Sequence, residues 1–326
     1  MKDRILEFIR STQINSPVST GNLTVFPLKT EPPAGFEYLV LDEALKQGSI
    51  RISEVSSQGH VPELIVENES KMRVFLMDGE QLIGAKQNRV LNTSIMVEAA
   101  SKIKIPVSCV EQGRWDMRNR NMQPGDICFG NCREVKNSSV SQNLKRGRSY
   151  DSDQGAVWSA VDEMMNFCQV DSPTSSMNDL FVVKEEEIAN YSREIPYVEG
   201  ATGIAAVVSG RLVGVDMFDS GRTMQKLWTK LVRSYSLDAL SRRQVRPVGS
   251  RRQESDASSV KELLFGVEQA ECDAFPSPGI GSDVRIKSAH SFGAGLVCDG
   301  CVIHLCLFRD DRDRPPELWT YVRDVE

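Results

Sequence analysis

Histidine is nearly absent from this chain: its 326 residues hold three, His60, His290 and His304. None lies in a His-x-x-His or His-Glu-x-x-His pattern, so a histidine-rich metal centre and a local Ser-His-Asp signature are both unexpected. No run of about 18 apolar residues occurs, which excludes a membrane-spanning helix. The opening MKDRILEFIRST carries charge before Ile5 and again at Glu7, and it lacks the apolar core of a secretory leader. Positive charge is not in excess, since 39 Lys+Arg against 45 Asp+Glu leave a net charge of -6 and a pI of about 5.4. That balance argues against a protein given over to gripping phosphate backbones. Phosphate-cradling loops are missing too. No GxGxxG follows a strand pattern and opens a helix, and no GxxxxGK-Ser/Thr occurs, so a Rossmann-type or P-loop fold is disfavoured.

What is present has ordinary globular proportions, 40% apolar and 26% charged, in a chain long enough for one large or two medium domains. Eight cysteines without a leader suggest a reduced, cytoplasmic chain. Cys128-Phe-Gly-Asn-Cys132 and Cys298-Asp-Gly-Cys301 have the short spacings of metal or redox motifs. Asp299-Gly300, however, is a tight-hairpin dipeptide flanked by apolar residues, which puts Cys298 and Cys301 at two strand ends. The residues call for no metal and no cofactor.

Along the chain, residues 1–10 read as a short amphipathic helix on Ile5, Leu6, Phe8 and Ile9. Short strand patterns follow at 23–28, 36–41, 50–55 and 63–68, with a helical turn or two in DEALKQG. Met72–Met77, Asp78-Gly79 and Glu80–Ile83 have the grammar of a hairpin, and strand patterns at 90–99 and 103–110 complete a β-rich half, 1–115, resembling a sandwich or curved sheet. Residues 116–153 are polar and read as a loop or insertion. The α+β half, 154–326, opens with a helix carrying Val157, Trp158, Val161, Met164, Met165 and Cys168, followed by a helical segment over roughly 176–193. GIAAVVSGRLVGVDMF (203–218) aligns with GAGLVCDGCVIHLCLF (293–308), each reading as strand, x-Gly turn, strand. Between them the spacing predicts a helix over 222–240, N-capped by Ser220, with Met224, Leu227, Trp228, Leu231 and Tyr235 on one face. Arg222, Lys226, Lys230 and Arg233 share the opposite face, either as a solvated stripe or as a binding stripe for an anion. Residues 241–258, holding five arginines among Ser, Gly and Pro, read as a flexible connection before a short helix at 260–267. The expected fold is therefore α+β: an antiparallel β-rich N-terminal half, then two β-hairpins packed with helices, the halves sharing one core.

Chemistry concentrates in DGEQLIGAKQNRVLNTS (78–94) and IPVSCVEQGRW (105–115). Glu80, Lys86, Gln87, Asn88, Arg89 and Asn92 supply a carboxylate, two cations and three amides, and Cys109, Glu111, Gln112, Arg114 and Trp115 follow. These groups interrupt strands whose apolar residues should bury one face, and buried polar groups need partners. Two readings stand side by side. In one, Lys86 and Arg89 receive phosphate or carboxylate oxygens, Asn88 and Asn92 read hydroxyls or an amide, and Glu80 or Glu111 is an acid/base, with Cys109 a nucleophile if a cation lowers its pKa. In the other, the same side chains form an ion-pair and amide network that pins a strand crossing.

The strings VFLMDGEQLIGAKQNRVLNTSIMV and IPVSCVEQGRW, with SGRLVGVDMF, LWTKLVRSYSLDAL and the final GSDVRIKS…LVCDGCVIHLCLF, resemble the ADP-ribosylglycohydrolase- and rhodanese-phosphatase-associated domain family over roughly 20–310. The resemblance implies one family domain, with Glu80, Lys86, Gln87, Asn88, Arg89, Asn92, Cys109, Glu111 and Trp115 on its motif positions. It also implies a place in NAD-derived nucleotide processing. The expectation that follows is binding or metal-independent hydrolysis of an ADP-ribose-like or other phosphorylated nucleotide, with catalytic roles for Glu80, Glu111 and Cys109 and ligand-binding roles for Lys86, Gln87, Asn88, Arg89, Asn92, Gln112, Arg114 and Trp115. A non-catalytic assembly module is the alternative. Nucleic-acid binding through the 222–233 stripe and the 242–252 arginines is a third reading, disfavoured by the acidic balance and the lack of an aromatic platform.

Overall fold

Ser209-Gly210 and Asp299-Gly300 both adopt left-handed backbone, with φ of +52°/+80° and +49°/+80°. Paired positive φ angles give a turn whose twist matches that of antiparallel strands. Each dipeptide accordingly closes a hairpin, Gly203–Val208 with Arg211–Phe218 and Ser291–Cys298 with Cys301–Arg309. Cys298 and Cys301 face one another across the second turn, as read from the sequence. The computed structural model describes residues 1–31, 36–56, 58–242 and 257–310. The arginine-rich 243–256 lies outside the described residues.

The two hairpins form the middle of a nine-stranded antiparallel sheet. Leu23–Lys29, Gln13–Ile14 and Val18–Thr20 extend one side, and Ser282–Lys287 and Glu271–Pro276 the other. One face is covered by the helices Lys2–Arg10 and Ser258–Gly266, which bury Ile5, Ile9, Val260 and Leu264 against Val215, Leu305 and Leu307. The opposite face receives the Gly221–Ser241 helix, whose Met224, Leu227, Trp228, Leu231 and Tyr235 pack with Val25, Ile204 and Phe218. Ser220 caps that helix by accepting the Thr223 amide proton at 3.2 Å.

Two smaller sheets complete the architecture. Ile95–Val97, Arg73–Leu76 and Tyr38–Val40 make a three-stranded sheet, the last two strands parallel. Gln123–Ile127, Glu80–Ile83, Arg89–Leu91, Ser101–Cys109, Glu63–Asn68 and Ile50–Glu54 make a six-stranded one. They share a core of Val74, Leu76, Leu82, Leu91, Val97, Ile105 and Val107. The fold is α+β with predominantly antiparallel sheets.

Four sequence expectations need correction. The 72–83 segment is not a hairpin: its two strands enter different sheets, and the Asp78-Gly79 turn (Gly79 φ +83°) is the corner between them. An x-Gly turn serves either purpose, and here burial on both sides of Phe75, Leu76 and Met77 favours the crossing. The 90–99 pattern likewise divides, Arg89–Leu91 and Ile95–Val97 lying in separate sheets across an Asn92-Thr93-Ser94 corner. The polar 116–153 stretch is not a loop, since it holds the Gln123–Ile127 strand and the Gly130–Lys145 helix. That helix has no apolar stripe because its buried face carries Arg133, Lys136 and Asn137. Finally, 176–193 is two helices, Met177–Val183 and Glu185–Glu194, hinged at Lys184.

Candidate functional site

Strand register brings the first elements of the site together. Cys109 is the cross-strand partner of Arg89, so their side chains leave the same face of the six-stranded sheet. Before Arg89 the chain makes a tight excursion, with Gly84 at φ +123° and Ala85 at φ +41°. Arg114 holds that excursion in place. Its guanidinium donates to Ala85 O at 2.8 Å, Asp116 O at 2.7 Å, Gly84 O at 3.2 Å and Asn88 Oδ1 at 3.2 Å, and it meets Glu111 Oε2 at 2.6 Å. Glu111 also accepts from the Asn88 amide at 3.1 Å and from the Thr174 hydroxyl at 3.0 Å. Burial pushes its carboxyl up, yet the Arg114 guanidinium and these donors outweigh burial and hold it below the usual carboxylate range. Glu111 is thus an ionised carboxylate whose two oxygens both accept hydrogen bonds from the protein. Gln87 Nε2 donates to Glu111 O at 3.1 Å, and Asn88 Nδ2 donates to Ser176 Oγ at 3.2 Å.

Arg89 is different. It is fully buried, and only Nη1 has partners, Gln87 Oε1 at 2.9 Å and Asn88 O at 3.5 Å; Nε and Nη2 have none. Burial lowers its pKa, because a charge held away from water is disfavoured. Above it lies the Trp115 ring, 5.6 Å from the guanidinium carbon and 5.3 Å from Lys86 Nζ. Lys86 donates to Gln58 O at 3.0 Å, and Gln112 is exposed at the rim. Trp115 keeps 43% of its surface exposed. Burial raises the Cys109 thiol, with Arg89 opposing, so this cysteine rests as a thiol rather than a thiolate.

Two residues of the expected set point elsewhere. Glu80 faces the Gly221–Ser241 helix, where it meets Lys230 at 3.2 Å and accepts the Met77 amide proton at 2.8 Å. Burial raises its carboxyl, against the pull of Lys230. Asn92 turns toward Tyr150, donating to its carbonyl at 3.0 Å. The cationic stripe of the long helix is taken up in ion pairs: Arg222 pairs with Glu37, Lys226 with Glu43, Lys230 with Asp42 and Glu80, and Arg233 with Asp126 and Glu185.

A second polar cluster escaped the sequence reading. Asp216, fully buried, receives Arg133 through both carboxylate oxygens at 2.8 and 2.5 Å, the Tyr235 hydroxyl at 2.6 Å and His304 Nε2 at 3.1 Å. Burial pushes Asp216 up, but Arg133 and His304 prevail and hold it well below the usual range. Lys136 pairs with Asp78, and Arg285 with Asp283 and Thr93. The available signal was a lone charged or polar residue in an otherwise apolar strand, Asp216 in LVGVDMF and His304 in VIHLCLF. Among the described residues no group of three or more His, Cys, Asp and Glu side chains could hold a metal ion, and no helix is long and apolar enough to cross a membrane.

Neither a curated protein nor a solved structure matches the chain. A family profile does, that of the ARG and Rhodanese-Phosphatase-superfamily-associated Protein domain, over residues 11–308. That match takes in both polar clusters and all three sheets, and the chain belongs to this family.

Proposed function

We propose that the protein binds a phosphorylated nucleotide of the ADP-ribose type at the Arg89–Lys86–Trp115 surface. Arg89 and Lys86 take phosphate oxygens, and Trp115 stacks on the base. The observation that carries this reading is Arg89, a buried guanidinium with two N–H-bearing nitrogens lacking any acceptor. A buried cation without a partnering anion costs several kcal/mol, on the order of that measured when one member of a buried ion pair is removed. A phosphate offsets that cost, because guanidinium receives it bidentately. The exposed indole supplies a flat apolar face beside the charge. The family's association with ADP-ribosylglycohydrolases supports the nucleotide class by association only.

Asn88, Glu111 and Arg114 serve this site as scaffolding. Their hydrogen bonds run to each other, to the 84–88 backbone and to Asp116, Thr174 and Ser176, so they fix the position of Lys86 and Arg89. Binding, with Glu111 as anchor, is therefore the function the geometry supports best. The test is thermal shift and tryptophan fluorescence with ADP-ribose, ADP, NAD and inorganic phosphate. Ligand at about 100 times Kd stabilises by roughly 2.7 kcal/mol, and entry moves the indole that covers Arg89. Arg89→Met keeps the volume and removes the charge. We expect it to be neutral or stabilising alone and to abolish the shift. A shift that survives Arg89→Met, or its absence from the wild type with every ligand, refutes the reading.

A further inference from the structure

Trp115 opens a stretch, 115–121, in which every residue is exposed. The stretch is nonetheless held at fixed points. Arg114 before it and Met122 after it are buried. Asp116 O accepts from Arg114 at 2.7 Å, the Arg118 amide donates to Ala85 O at 3.0 Å, and the Met122 amide donates to Ile52 O at 2.9 Å. Ala85 directly precedes Lys86, so the second of these bonds sets Arg118 beside the Lys86–Trp115 pair. The turn at Gly59 backs that pair closely: a Cβ there would meet Lys86 Cδ and Trp115 Cζ2 at 3.0 Å.

The Arg118 side chain is the least committed cation of this surface. It keeps 61% of its area exposed, and it meets Glu111 Oε1 only at 3.9 Å. Both oxygens of Glu111 are already taken at shorter range, by Arg114 at 2.6 Å, the Asn88 amide at 3.1 Å and Thr174 at 3.0 Å. An exposed ion pair at the longer distance contributes little. Arg118 is thus a pinned backbone that carries a guanidinium open to a ligand. Around it Lys86, Arg89, Arg114 and Arg118 outnumber the acids Glu54, Glu111 and Asp116, which leaves a positive surplus where Trp115 offers its ring.

We infer that Arg118, with Lys86, forms an outer anion subsite beside Arg89, and that the ligand is accordingly a nucleoside diphosphate, free or bridged, in preference to a monophosphate. The inference rests on the proposed binding at Arg89. One phosphate reaches that guanidinium, and the second stays at the surface with Arg118 and Lys86. Arginine suits the outer position because its planar fork presents paired N–H groups to phosphate oxygens. The outer phosphate keeps its contact with water, so its capture carries none of the cost of burying a charge. Arg118 is then the residue that separates diphosphates from monophosphates.

The experiment is titration calorimetry of the full chain with AMP and ADP at low and at physiological salt. We expect ADP to bind about tenfold more tightly than AMP at low salt, the worth of one charge-assisted contact. Added salt narrows that ratio, because the outer subsite is exposed. Arg118→Gln removes most of the ratio and keeps the wild-type melting temperature, since its side chain lies in solvent. Arg120→Gln takes the same charge from the same exposed stretch and keeps the ratio. Equal affinity for AMP and ADP, a ratio untouched by Arg118→Gln, or a ratio lost equally in Arg120→Gln overturns the inference and leaves binding at Arg89 standing. Failure of both nucleotides to bind overturns the two together.

Discussion

Replacing Asp216 by Asn changes one atom type at the most heavily hydrogen-bonded carboxylate of the second cluster. Both oxygens of Asp216 face donors: two from Arg133, one from Tyr235 and one from His304. The asparagine keeps one acceptor oxygen and turns an amide N–H group toward the remaining donors. Arg133 is then a fully buried cation whose remaining anionic neighbour is Asp78, 3.7 Å from its Nε and already paired with Lys136. Breaking a buried pair by removing one partner costs about 3–5 kcal/mol, a large part of the roughly 5–15 kcal/mol by which a domain is stable. Arg133→Met with Asp216→Leu removes both charges, so the pair should cost less than the sum of the two single changes, by about 1–3 kcal/mol. Urea unfolding at pH 7 measures all five proteins: the wild type, Asp216→Asn, Arg133→Met, Asp216→Leu and the double variant. An Asp216→Asn cost below about 1 kcal/mol, or strict additivity in the cycle, would show that the buried charges are not coupled as their distances require.

Acid and base shift stability in a direction the carboxyls set. Burial raises Asp219 and Asp238 from 3.8 to about 6, so their protonated forms suit the fold, and their contribution is greatest below pH 4 and is lost as pH rises toward 6. At about 1.4 kcal/mol per unit, Asp238→Asn should stabilise by up to roughly 3 kcal/mol at pH 7 and leave stability unchanged at pH 4; urea midpoints at the two pH values check this, and an equal effect at both contradicts it. Trp115→Ala should weaken nucleotide binding by about 1–3 kcal/mol, the worth of one base–aromatic stack, and should lower the melting temperature less than a core truncation does, because the indole keeps 43% of its surface exposed; titration calorimetry and a melt read the two effects. Ser220→Ala removes the cap of the long helix and should cost about 0.5–2 kcal/mol in chemical unfolding.

Much of the fold was legible because its signals are local. The hairpins at Ser209-Gly210 and Asp299-Gly300 follow from turn chemistry, and the Gly221–Ser241 helix from its apolar spacing and its serine cap. The corner at Asp78-Gly79 was misread because a turn residue reports the bend and not the partner strand, which is chosen by packing far along the chain. At the site, the density of amides and charges among apolar strands pointed correctly to Asn88, Arg89, Glu111 and Arg114 as neighbours. Sequence density could not separate Glu80 or Asn92 from that group, because strand direction and sheet crossing decide which way they face. The Asp216 network was invisible for the opposite reason: its members come singly from positions 78, 94, 133, 216, 235 and 304, and none stands beside another.

The Gly130–Lys145 helix carries its ion-pairing groups inward, and this orders events during folding. An amphipathic helix with a greasy stripe can adhere early to any apolar surface, but Arg133 and Lys136 gain nothing from leaving water until Asp216 and Asp78 stand ready to receive them. Asp216 lies in the nine-stranded sheet, which is completed only by strands from the far end of the chain, and Asp78 lies in the corner between the two smaller sheets. Burial of Arg133 and Lys136 therefore depends on the nine-stranded sheet and the Asp78 corner both being formed, and a chain truncated before the final hairpin is expected to leave the helix undocked.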